Sequence, residues 1–354
     1  MLPAIELLRG AVATPLDRPT AGTSLDPRIR FVGGIVEADG APHTASRLTR
    51  RAITLQVPSP AGPDRMTCPG RWLYGGIWFD HYGHFLLETL ARAWHLADLA
   101  GPVVFHRAPD RPGGQIASTM TRWQVELVSA LFGTPSRIHF VTRPMEFEEL
   151  VVAEAGCVLG ERCTTHQAAA LATIGARITA TSPTTVRLGR MLWLSRSSLT
   201  RGCVVGEREF EAELATAGFE VIHPETMPLS DQIRAFDEAQ IVAGFTGSAF
   251  HTALLAGRRR AELIHFARFT AANHQTFVLC AAAAGYQSRF HDCFLDFVRP
   301  NPTGGMPLAA GLDVLQDFSA VRRILADCGA FGGSHGQGMV RSPGDTADAV
   351  SGAC

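Results

Sequence analysis

Between residues 80 and 95 the chain reads DHYGHFLLETLARAWH. On a helix, His81, His84, Glu88, Arg92 and His95 fall at i, i+3, i+7, i+11 and i+14 and form one polar stripe. Phe85, Leu86, Leu87, Leu90 and Trp94 cover much of the remaining surface, so such a helix is buried and its stripe faces a cleft or a polar seam. His84 and Glu88 lie one turn apart, and a carboxylate that orients an imidazole is a common general-base arrangement. The base is either His84 oriented by Glu88 or Glu88 itself, with His81 beside them. Two other readings use the same residues: a satisfied polar seam between helices, and a metal site made by His81, His84 and Glu88, which would make the chain a metal-dependent hydrolase.

A second cluster suits anion binding. The run LSRSSLTR, residues 194–201, leaves a predicted strand with Arg196 and Arg201 in a hydroxyl-rich loop. Doubly wound sheets bind ligands at the carboxyl ends of their strands, and paired Arg forks clamp diphosphates. Glu207 opens the next predicted helix and is placed to fix Arg201 or a ribose hydroxyl. Further on, GFTGSAFHT, residues 244–252, links a predicted strand to a predicted helix. There Gly247 and Ser248 can offer backbone N–H groups and a helix N-terminus to an anion. His251 lies just inside that helix, lining a nucleotide pocket or simply packing. The run is neither a serine-hydrolase elbow nor a P-loop. No Asp-x-Asp triplet occurs, and the Glu146/Glu148 pair reads as solvated surface.

These groups need elements to hold them. Strand patterns cover 30–36, 53–57, 103–106, 137–141 and 150–153, and helical patterns cover 80–99 and 122–132. After a Ser/Thr/Pro-rich stretch at 179–185 the rhythm sharpens. Strands are expected at 191–194, 219–223, 241–244 and 261–266, and helices at 207–217, 230–239 and 248–256. The alternation indicates an α/β protein with parallel, Rossmann-type pairing. The expected division is an irregular segment over 1–25, an α/β domain over 26–180, a Rossmann-like domain over 186–328, and a disordered tail over 329–354.

Composition bounds the chemistry. A chain of 354 residues favours two domains, and a net charge of −1 gives no general attraction to nucleic acid or a membrane surface. The chain has no lysine. Any phosphate site must therefore use Arg, His or backbone N–H groups, and P-loop chemistry is excluded. The same bias, with abundant Ala, Gly and Pro, points to a GC-rich bacterial genome. Eight cysteines occur, none as a Cys-x-x-Cys pair. They read as reduced, buried thiols of a cytoplasmic protein, and their irregular spacing argues against a structural zinc site. Neither a signal peptide nor a transmembrane stretch is evident, so any membrane contact would be peripheral.

In this order the segments resemble glycosyltransferase family 61. Its first motif, Asn-Tyr-x-His-Trp-x-x-Glu, is matched by the run Asp80-His81-Tyr82-Gly83-His84-Phe85-Leu86-Leu87-Glu88. Its strand ending in Ser-Arg, a spaced Arg and an Asn-Glu pair are matched by Ser195, Arg196, Arg201 and Gly206-Glu207. A helical Gln and Phe are matched by Gln232 and Phe236, and a final strand and Gly-rich turn by 241–255. Departures fall at Gly206, at Thr246 and Gly247, and at Thr252, and resemble the bacterial capsule and polysaccharide branch. The resemblance implies a GT-B arrangement of two Rossmann-type domains and inversion at the anomeric carbon, without cofactor or metal. It also implies a nucleotide-sugar donor, UDP-linked in the reading adopted here. The acceptor is a glycan, lipid-linked or other hydroxyl. A nucleotide-sugar-binding partner without activity is the other reading of the departures.

Overall fold

The computed structural model describes residues 3–20, 24–59, 62–97, 99–109, 119–180, 188–200, 202–268, 271–292, 297–298, 313–315 and 318–328. Arg201, the expected boundary over 181–185 and the expected tail over 329–354 lie outside the described residues.

The N-terminal half builds a mixed sheet of eight strands. In chain order these are β1 (Ile5–Leu8), β2 (Ala11–Asp17), β3 (Phe31–Val36), β4 (Gln56–Val57), β5 (Met66–Trp78), β6 (Val103–Arg107), β7 (Ile138–Phe140) and β8 (Met145–Ala153). Across the sheet they run β4-β3-β2-β8-β5-β6-β7, with β1 also paired to β8. The β8-β5-β6-β7 portion is parallel, while β1 and β2 pair antiparallel with β8. The opening segment is therefore not irregular. Ala11, Val12 and Ala13 are buried against the edge of β8, and Pro15 sits where the β2–β3 register shifts, a place that tolerates a missing N–H.

The C-terminal half follows the expected rhythm more closely. Strands β9 (Arg190–Leu194), β10 (Phe219–Ile222), β11 (Ala239–Phe245), β12 (Glu262–Ala267) and β13 (Gln287–Asp292) pair in the order β10-β9-β11-β12-β13, all parallel. Strand order reverses between β9 and β11, which is the crevice where such sheets take ligands. Helices Glu207–Thr216 and Leu229–Glu238 fall close to their predicted places.

The two halves share a core. One buried cluster runs from Trp78, Phe85 and Phe105 of the N-terminal half to Leu192, Leu194 and Val242 of the C-terminal half. Helix Thr165–Thr179, which the sequence patterns miss, packs on both halves, and Gly175 lies directly against the Leu255 carbonyl. Burial of such large apolar side chains stabilises by about 1.5–3 kcal/mol each, so this seam ties the two sheets together.

Two helices differ from expectation where they matter most. The predicted helix over 80–99 breaks into a short α-turn at Tyr82–His84, a π-helical turn at Phe85–Thr89 and a second α-turn at Ala93–Leu96. The predicted helix over 248–256 is a seven-residue 3-10 helix, Ser248–Leu254. It is too short and too tightly wound to provide the α-helical dipole expected for an anion.

Candidate active site

The C-terminal wall is built from the loops leaving β9 and β11. The carboxylate of Glu207 is fully buried beneath the first loop. It accepts the Trp193 indole N–H at 2.9 Å and the Arg196 backbone N–H at 3.2 Å to each oxygen. Burial pushes its pKa up to about 7, against the opposing hydrogen bonds. Glu207 therefore positions the Ser195–Arg196 turn from below, and its expected contact with a ribose is corrected: the group has no face on the cavity.

The Arg196 side chain donates through Nε to the Gly202 carbonyl at 2.7 Å. Arg268, which no sequence motif marks, joins it. Its Nε donates to the Thr246 carbonyl at 2.9 Å and Nη1 to the Gly202 carbonyl at 3.2 Å. Gly247 leaves the space that the Arg196 guanidinium fills, because a Cβ there would run into Nη1.

The N-terminal wall is the π-helical turn. Leu90 N–H donates to the Phe85 carbonyl at 2.9 Å, five residues back, and the Thr89 hydroxyl accepts Phe79 N–H at 2.9 Å. Trp78, Phe85 and Trp123 pack edge to face behind it, with centroids 4.8 Å and 5.1 Å apart for Trp78–Phe85 and Phe85–Trp123. Each such pair adds about 0.5–1.5 kcal/mol beyond area burial.

On this turn His84 Nδ1 lies 2.6 Å from Glu88 Oε2. Arg50, from the Thr49–Arg50/Ile53–Thr54 hairpin, forks onto the same carboxylate, Nε to Oε1 at 2.7 Å and Nη2 to Oε2 at 2.8 Å. Burial pushes the Glu88 pKa up, but the His84 and Arg50 hydrogen bonds outweigh it and the net shift is downward. Glu88 is thus an ionised group with both oxygens engaged, and half-buried His84 turns Nδ1, not Nε2, to it.

His81 reaches solvent at the rim, its ring 5.3 Å from that of His84. Partial burial lowers its pKa, with added repulsion from His84 and Arg196. His251 is buried and stacks on Phe277 at 4.6 Å. Burial, then His84 and His81, push its pKa down to about 3, so its ring is neutral. The two walls touch at Gly83, where a Cβ would lie 2.9 Å from Ser248 Cβ, and through Tyr82 Oη, 2.8 Å from Thr252 Oγ1.

Two cavities share the strip Arg196–Gly247–Ser248. One, of about 270 Å³, lies over the switch point and is closed by Tyr82, Trp123 and the Pro224–Met227 loop. Gln232 Nε2 pins that loop through the Pro224 carbonyl at 2.7 Å. The other, of about 410 Å³, is lined by His81, His84, His251 and Arg268.

The fold therefore brings His81, His84, Arg196, Gly247, Ser248 and His251 to one place, with Glu88 and Glu207 behind them. Arg92 and His95 leave the expected stripe: Arg92 turns away to the Ala153 carbonyl at 2.7 Å, and the π-turn is the cause. Arg50 and Arg268 are additions that no motif of the sequence marks, and Tyr82 and Thr252, which lie in the first and last motifs, prove to join the two walls. His81, His84 and Glu88 do not converge as metal ligands. Among the described residues a different trio, of cysteines, does so.

The Glycosyltransferase 61 family model matches residues 82–261, just over half of the 354-residue chain. The chain belongs to glycosyltransferase family 61. The matched span carries His84, Glu88, Arg196, Gly247, Ser248 and His251 on both walls. A glycosyltransferase needs a sugar donor and an acceptor. A search of curated proteins finds no match to this chain. No helix among the described residues is long and apolar enough to cross a membrane.

Proposed function

We propose that this glycosyltransferase inverts the anomeric centre as it moves a sugar from a nucleotide diphosphate to a hydroxyl of a glycan, lipid-linked or other acceptor. The acceptor oxygen bonds to the anomeric carbon as the bond to the diphosphate breaks, and that electron pair leaves with the diphosphate. The hydroxyl proton passes to His84 Nε2, with Glu88 and Arg50 holding the imidazole. Arg196 and Arg268, together with backbone near Gly247 and Ser248, stabilise charge growing on the leaving group. The nucleotide occupies the cavity over the switch point, and the acceptor enters beside His84. A GT-B arrangement fits this division, with the donor on the parallel sheet.

The observation that carries the reading is the strip Arg196–Gly247–Ser248, common to both cavities, with His84 facing it across the second. No metal enters the proposed step, because the Arg pair does the work a diphosphate-bound cation would do. The donor is UDP-linked in this reading, and the setting is bacterial capsule or polysaccharide assembly on the cytoplasmic side of the membrane. A thermal-unfolding panel with UDP, GDP, CMP and dTDP, each with and without EDTA, tests it. Ligand at 100 times its Kd adds about 2.7 kcal/mol and shifts melting by several degrees. A UDP-dependent shift, insensitive to EDTA and lost in Arg196→Ala, is expected. A shift abolished by EDTA and restored by Mg2+ or Mn2+ would overturn the metal-free step, and a shift with another nucleotide would reassign the donor.

A further inference from the structure

Cys157 and Cys163 face each other as Cα partners in the hairpin Cys157–Val158/Arg162–Cys163. Cys280 lies on helix Ala271–Ala284 of the other half of the molecule. Their three sulfurs lie within 4.8 Å of one another. Tetrahedral thiolates on zinc are bonded at about 2.3 Å and so stand about 3.8 Å apart. The trio therefore needs to contract by about 1 Å at most to enclose an ion of that kind. Cys157 and Cys280 are buried, while Cys163 is half-buried and gives an entry path. Three sulfur donors with no carboxylate among them suit a borderline-soft ion and exclude magnesium or calcium.

We propose that Cys157, Cys163 and Cys280 form a trithiolate site for Zn2+, stapling the 157–163 hairpin to helix Ala271–Ala284. Binding releases up to three thiol protons to solvent and leaves the fourth coordination position to water. The hairpin tip already reaches the helix through Gly160 N–H to Thr276 Oγ1 at 2.9 Å. Leu159 of the hairpin and Thr276 and Phe277 of the helix line the 410 Å³ cavity. An ion here fixes that wall from outside the reacting atoms, independently of which sugar is moved.

The test uses the full chain, stripped with chelator under reductant and titrated with Co2+. A single equivalent should bind with thiolate-to-cobalt charge-transfer absorption in the near ultraviolet, and Zn2+ should displace it. Saturating Zn2+ should raise the melting temperature by several degrees. Cys163→Ser should lose both signals, whereas Cys68→Ser, a buried thiol in a separate core cluster, should keep them. No charge-transfer band in the wild type, or an equal band in Cys163→Ser, overturns the proposal. So does a peptide map that shows, before reduction and with no ion bound, a disulfide between any two of Cys157, Cys163 and Cys280.

Discussion

The two walls of the site are held in opposite ways. On the N-terminal wall an ion pair sets the geometry: Arg50 forks onto Glu88, and Glu88 orients His84. On the C-terminal wall main-chain groups set it, since Arg196 and Arg268 lean on the carbonyls of Gly202 and Thr246 while Glu207 grips a backbone N–H. A base must have its lone pair aimed, which a fixed carboxylate does well. In the proposed reaction the clamp must aim its guanidinium forks at the diphosphate, and the carbonyls of Gly202 and Thr246 help to fix where those forks point.

The largest expected effect separates base from scaffold. His84→Ala should lower the transfer rate by about 10²–10⁴ with nucleotide binding intact, read as nucleotide released with acceptor present. An unchanged rate would reduce this wall to structure. Next, Arg196→Ala should cost about 10²–10³ in rate and also abolish the nucleotide-dependent melting shift, a split that His84→Ala should not show.

Smaller effects probe the supports. Glu207 is held at a raised pKa of about 7 from an ordinary 4.5. The unfolded chain ionises it more readily, so native stability is lost as pH rises through that window. About 2.5 units at 1.36 kcal/mol each give a loss of about 3 kcal/mol. Glu207→Gln keeps the acceptor for Trp193 and should remove that slope. Relative to wild type it should gain stability from pH 4.5 to 7 by chemical denaturation, and parallel curves would show that Glu207 does not titrate there. Finally, Arg50→Met should destabilise by about 2 kcal/mol. That falls below the ~3–5 kcal/mol of a fully buried pair, because 32% of the Arg50 side chain is exposed. Glu88→Gln in the same chain should restore part of the loss, and additive losses would deny the coupling.

The same contrast explains what the sequence makes legible. Strands such as MLWL and IVAGF are continuous apolar runs between helical periods, so four of the five parallel strands can be read to within two residues, whereas Gln287–Asp292, a polar edge strand, escapes. Strand Met66–Trp78 cannot, because Pro69, Gly70, Gly75 and Gly76 interrupt every pattern a strand should show. The His84–Glu88 pair is legible since four residues separate them in either winding, whereas Arg92 and His95 lie beyond the π-turn and are misplaced. Arg50 and Cys280 meet their partners across long stretches of chain, and Arg50 reaches Glu88 over 38 residues. No local periodicity encodes such a meeting.

The π-turn has an evolutionary reading. It is in effect one residue more than regular winding needs. A relative that lost a single residue within Phe85–Thr89 would regain an ordinary α-helix, and the chain beyond Thr89 would rotate by about 100°. In this lineage the length of that segment should then resist deletion more stubbornly than its composition resists substitution.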